Sequence, residues 1–109
     1  MTYEEQKEFL EKFQNQMKEL LLSKGNDYSN IDCLSNFKAT AAVTQQHPRS
    51  TVLTMIGIKV ARLGVLLNTS KEVKNEAIED TVIDLANYAF LLACTIKDTK
   101  NEIYFKESK

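Results

Sequence analysis

Glycine and proline are scarce: three Gly and one Pro stand among 109 residues. An all-β sandwich or barrel of this length turns often and uses more of both, so few turns predict few, long elements. Histidine and cysteine are scarcer still. His47 is alone, and Cys33 and Cys94 lie far apart with no C-x-x-C spacing. A His/Cys zinc site therefore lacks ligands, and catalysis by a His base is excluded unless His47 is that base. The two thiols read as reduced, partly buried side chains of a cytoplasmic protein. No uninterrupted apolar run reaches ~18 residues, so no membrane span is expected. The acidic opening MTYEEQKEF is unlike a signal peptide. An excess of either charge is missing too: the net charge is −1. General nucleic-acid binding normally draws on a basic excess and is not expected.

What is present is a hydrophobic fraction of 43% beside 27% charged residues, which excludes disorder and supports one domain with its own core. The pattern predicts four helices. In the first, from about Thr2 to Ser23, Phe9, Leu10, Phe13, Met17, Leu20 and Leu21 recur at helical spacing, with Thr2 as cap and Gly25 just past the end. Residues 25–32, GNDYSNID, read as a loop. The second helix is predicted from about Cys33 to Gln46, capped by Asp32 and closed by His47-Pro48. The third covers about Ser50 to Leu67 and the fourth about Asn75 to Asp98. The expected fold is an all-α, four-helix antiparallel bundle over residues 1–98, with the third and fourth helices as a central buried hairpin and 99–109 as a tail.

The third and fourth helices carry charges where a core should be. On the fourth, Ile78, Val82, Leu85, Ala89, Leu92 and Ile96 fall in one arc of roughly 80°, expected to face the core. Glu76, Asp80, Asp84 and Asn87 fall opposite, among Ile83, Tyr88, Phe90 and Leu91, so the acidic stripe is expected to face a cleft or a partner. On the third, VLTMIGIKVARLGVLL, the only charges are Lys59 and Arg62, neighbours on one face. Gly57 and Gly64 lie on roughly the other side and allow a second helix to approach closely. Two readings stay open. The cations answer Asp80 and Asp84 in a buried network, or both sets line a polar ligand pocket. Asp80 and Asp84, one turn apart, could share a Mg²⁺ completed by substrate phosphates. Lys24, Asp27, Tyr28, Asn36 and Phe37 add an aromatic-and-amide set able to stack on a base and read its edge, or to serve as ordinary core and turn residues.

The succession KGNDYS (Lys24 to Ser29), NFKATA (Asn36 to Ala41), KVARL (Lys59 to Leu63) and NEAIEDTVIDLANYAFLL (Asn75 to Leu92) resembles the first of the nucleotide modification associated domains, small helical proteins frequent in bacteriophages. The run of Glu76, Asp80, Asp84, Asn87 and Tyr88 carries most of the resemblance, which spans about residues 20 to 96. It implies a helical fold and a link to nucleotide metabolism or modification. A looser likeness is to MazG-like and dimeric dUTPase-like pyrophosphohydrolases, which hold Mg²⁺ through E-E-x-x-E on one helix and E-x-x-D on the next. Glu4, Glu5 and Glu8 match the first element but lie in the opening turns of the first helix, far from the second acidic stripe. That stripe is spaced E-x-x-x-D-x-x-x-D, so the Glu4 match reads as accidental.

The functional expectation is a nucleotide binder, with the nucleotide delivered to a modifying enzyme or sequestered as a signal. Lys59 and Arg62 would meet phosphate and Tyr28 or Phe37 the base, with Asp27, Asn36, Asp84 and Asn87 on polar groups and Lys24 and Tyr88 beside them. The alternatives are a Mg²⁺-dependent nucleoside triphosphate pyrophosphohydrolase with Glu76, Asp80 and Asp84 as ligands, and a non-catalytic interaction module. Two helices apolar nearly all round predict a homo-oligomer. No membrane partner is expected, and the location follows as the cytoplasm, that of the host cell if the chain is phage-encoded.

Overall fold

The structure, a computed structural model, describes residues 1–27, 32–69 and 75–98, with side chains for 1–23, 32–69 and 77–98. It consists of α1 (Tyr3–Asp27), α2 (Ser35–Thr44), α3 (Pro48–Asn68) and α4 (Asn75–Asp98), with no strand among the described residues. The fold is all-α, and its most extensive interface joins α3 to α4; α2 packs on α3, and α1 on α4. The expected tail, 99–109, lies outside the described residues.

Local chemistry accounts for where the helices begin and end. Thr2 Oγ1 accepts from the Glu5 N–H at 3.1 Å and opens α1, with Glu4 and Glu5 in its first turn. The helix runs through Gly25 to Asp27, beyond the expected end at Ser23. A glycine inside a helix costs about 1 kcal/mol against alanine but does not by itself stop it. Asp32 Oδ1 accepts from the Leu34 N–H at 2.9 Å, and the Asp32 carbonyl from the Ser35 N–H at 3.2 Å. The turn so formed delays α2 to Ser35, two residues past the expected start.

The junction between α2 and α3 corrects the sequence reading. Pro48 does not close α2. That helix already ends at Thr44, where Gln45 takes a left-handed conformation (φ 56°) and the Gln45 and Gln46 N–H groups bond to Ala42 and Ala41 carbonyls. Pro48 instead opens α3 as its first residue, where a missing N–H costs nothing. Extended His47 caps it, its Nδ1 accepting from the Arg49 N–H at 3.3 Å.

The inward side of α4 also differs from the expected arc. Val82 and Ala89 are exposed, whereas Thr81, Asn87 and Thr95 are buried. The two threonines turn their hydroxyls back on their own helix, Thr81 to the Ala77 carbonyl at 2.7 Å and Thr95 to the Leu92 carbonyl at 2.8 Å. Satisfied in this way, they present methyl groups to their neighbours and pack as small apolar residues.

Burial of the central hairpin is one-sided. Val52 of α3 is fully buried, yet Leu53, Ile58, Val60, Val65 and Leu67 are each more than half exposed. Lys59 and Arg62 interrupt the longest apolar run, but α3 as a whole averages a mean hydropathy of 1.6 over 18 residues with 11% of that window buried. By length and composition alone it is apolar enough to cross a membrane, which the count of uninterrupted residues did not register.

Candidate functional site: an aromatic cavity beside an acidic cleft

Residues distant in sequence converge where the C-terminal half of α1 and the start of α2 meet α4. A cavity of ≈520 Å³ is lined there by Asn36 and Phe37 of α2, Asp84, Asn87, Tyr88 and Leu91 of α4, and leucines of α1 from Leu20 onward, with Cys33 and Cys94 also on its wall. Phe37 and Tyr88 meet edge to face, ring centroids 6.5 Å apart at 74°. Asn87 is 6% exposed. Its Nδ2 donates to the Met17 carbonyl of α1 at 3.2 Å, and that bond assigns the amide orientation. Its Oδ1 is buried without a hydrogen-bond partner. Such an orphan is costly, on the order of 1–3 kcal/mol.

Asp84 and Leu20 also line a second, more open cleft of ≈710 Å³ between α1 and α4, with Gln16, Glu19, Ser23, Asp80 and Ile83. Sequence reasoning missed the α1 contribution to it. The signal was available: Gln16, Glu19, Leu20 and Ser23 recur at i, i+3, i+4 and i+7, a single helical face on which polar residues surround one leucine. It also missed the cysteines as cavity lining, whereas Leu91 lies beside the acidic stripe as expected. Burial, and secondarily the neighbouring Cys33, push the Cys94 thiol above its ordinary value, so it stays protonated, while Cys33 is exposed.

Lys59 sits on the inward arc of α3, with Val52 two turns before it and Leu63 and Leu66 after it on the same side. Its stem is sheltered and its Nζ reaches Asp84 Oδ2 at 3.1 Å, both side chains 22% exposed. This is the one ion pair between α3 and α4 among the described residues. Arg62 is exposed and lines neither cavity, and Asp80 is exposed at the edge of the cleft. A second network anchors α2: Lys38 pairs with Asp32 and, at 2.7 Å, with Asp98 at the end of α4.

The structure therefore brings together Asn36, Phe37, Asp84, Asn87 and Tyr88, joins Lys59 to them through Asp84, and leaves Arg62 apart. Lys24 and Asp27 fall in the last turns of α1 and Glu76 in the first turn of α4, with their side chains outside the described set. Tyr28 lies outside the described residues. Among the described residues no three His, Cys, Asp or Glu side chains are grouped to hold a metal ion.

No family model, no curated protein and no solved structure matches the chain.

Proposed function

We propose that the chain binds a nucleotide or nucleotide-derived small molecule, with the planar base in the cavity between α1, α2 and α4. The observation that carries this reading is the convergence of Phe37, Tyr88 and Asn87, whose Oδ1 is buried and unpartnered, on one cavity. Its ≈520 Å³ falls within the ~300–1,000 Å³ of small-molecule sites. Aromatic and leucine walls suit the faces of a base. Asn87 Oδ1 is an acceptor for a base N–H, reached by a small rotation of the side chain, and Asn36 offers a second amide. Lys59 lines neither cavity itself but pairs with Asp84 of the cavity wall, and it is the cation this reading offers to phosphate.

A binder is favoured over a metal-dependent hydrolase by the donor arrangement. Asp84 is engaged by Lys59 and Asp80 is solvated, while the side chain of Glu76, the third acid of the hydrolase reading, lies outside the described set. No catalytic step is assigned.

Equilibrium dialysis against purine and pyrimidine nucleoside mono- and triphosphates, with and without Mg²⁺, tests the reading. Saturable binding of one base class is expected, weakened about tenfold or more by Tyr88→Ala, a loss of about 1.4 kcal/mol. Arg62→Lys should leave the affinity unchanged. Loss of binding in Arg62→Lys with none in Tyr88→Ala would move the site elsewhere, and product formation with Mg²⁺ would restore the hydrolase.

A further inference from the structure

Two thiols share the wall of the aromatic cavity, and the ligand reading uses neither. Cys33 is exposed in the turn between Asp32 and α2, and Cys94 is half-buried in the last turns of α4. Though distant in sequence, they are bracketed by neighbours that meet. Leu34 and Thr95, which follow them in the chain, are 4% and 3% exposed and line one small cavity of ≈200 Å³. Asp32 precedes Cys33, Asp98 stands one turn after Cys94, and the single Lys38 ammonium binds both carboxylates. The turn that carries Cys33 is thus pinned to the end of α4 on both sides of the thiol. The thiols also sense each other: after burial, Cys33 is the largest influence holding the Cys94 thiol above its ordinary value.

Exposure divides the roles. The thiolate is the nucleophile in thiol–disulfide exchange, so exposed Cys33 is the attacking thiol and sheltered Cys94 the resolving one. A disulfide spans Cα atoms about 4.4–6.8 Å apart. Cys33 stands outside any helix, so its approach adjusts a turn and leaves α2 and α4 intact.

We propose that Cys33 and Cys94 are a redox pair, which a low-molecular-weight disulfide oxidises to an intramolecular bond stapling the turn before α2 to the end of α4 at the cavity wall. Cys33 loses its proton, and its thiolate attacks one sulfur of the small disulfide. That S–S bond breaks, and the leaving thiolate takes up a proton. Cys94 then gives up its proton and attacks the Cys33 sulfur of the mixed disulfide, expelling a second small thiol. Two protein thiols are oxidised by two electrons, and one small disulfide is reduced to two thiols. In the mixed disulfide Cys33 carries no negative charge beside Cys94, which eases the second deprotonation. The inference is independent of the ligand reading above.

Treatment of the full reduced chain with glutathione disulfide, then alkylation in denaturant and intact mass, tests it. The expected product is a single chain two hydrogens lighter, with neither thiol alkylated, no glutathione attached and full reversal by dithiothreitol. Cys94→Ala should stop with one glutathione on Cys33, and Cys33→Ser should leave Cys94 free to alkylate. Closure of the bond should be about tenfold or more faster in the native chain than in urea, because the fold holds the thiols together. A wild-type chain that keeps glutathione on Cys33 beside a free Cys94, or that retains two free thiols, would overturn the pair. So would a disulfide between two chains, or equal closure rates in the native and unfolded chain.

Discussion

Asn87 of α4 donates through Nδ2 to the main-chain carbonyl of Met17 on α1 at 3.2 Å, the one described side-chain hydrogen bond that ties α1 to the rest of the fold. The same side chain, which lines the cavity, leaves its Oδ1 buried and unpaired. One amide thus fixes an otherwise lightly held helix and carries an orphan acceptor. Asn87→Asp should destabilise the chain by about 1–3 kcal/mol, because a carboxylate then faces the Met17 carbonyl oxygen. Asn87→Leu loses the bond but also removes the orphan, so its cost should stay within about 1 kcal/mol. Urea denaturation of the two variants checks the order.

The Lys59–Asp84 pair is three-quarters sheltered, between the exposed pairs that contribute little and the dry pairs that are costly to break. Asp84 makes a further interaction besides this one. A double-mutant cycle of Lys59→Met and Asp84→Asn should return a coupling of about 1 kcal/mol, falling in high salt. A coupling of zero would remove the pair that links Lys59 to the cavity wall.

Anchoring of α2 should depend on pH at both ends of the scale. The bond from Lys38, then that from the Leu34 N–H, holds the Asp32 carboxyl below its ordinary value of 3.8. Its contribution is therefore present above pH ~4 and lost as pH falls through the lowered value. Bonds to Asp32 and then Asp98 raise the Lys38 ammonium above its ordinary 10.5. That contribution is complete below pH ~10.5 and disappears as pH rises through the raised value. Urea midpoints should be level in between, and Lys38→Met should lower the plateau and reduce the acid-side fall.

Gly57→Ala and Gly64→Ala should each stabilise α3. In dilute solution each alanine should stabilise the helix by up to about 1 kcal/mol, since its Cβ meets nothing. Urea midpoints of the two single variants and the double variant check the gain.

Helix content and order were legible in the sequence because the periodicity is long and uninterrupted; α4 runs from Asn75 to Asp98, the span its pattern predicts. The misplaced boundaries trace to residues with two meanings. Pro48 can follow one helix or open the next, and the His47 cap decides for the latter. Gly25 can end a helix or ride within it. The inward arc of α4 was misread because hydropathy counts Thr81 and Thr95 as polar, although bonds to their own helix leave only methyls to pack. The cavity was half legible: Asn36, Phe37, Asp84, Asn87 and Tyr88 stood out by type, while Gln16, Glu19 and Ser23 looked like an ordinary solvated face. Arg62 was grouped with Lys59 because residues three apart stand only about 60° from each other around a helix, yet that step carries Arg62 off the inward arc into solvent while Lys59 stays on it. The family resemblance rests on the residues of this chain alone.

The most direct measurement of the central claim is a nuclear magnetic resonance titration of the labelled chain with the nucleotide that dialysis selects, following the side-chain amides of Asn36 and Asn87 and the rings of Phe37 and Tyr88. The account predicts saturable shifts at all four, with the Asn87 amide moving most as its Oδ1 gains a partner, and no change at Arg62. Shifts confined to Arg62 and the outer face of α3, or none at any nucleotide up to millimolar concentration, would contradict it.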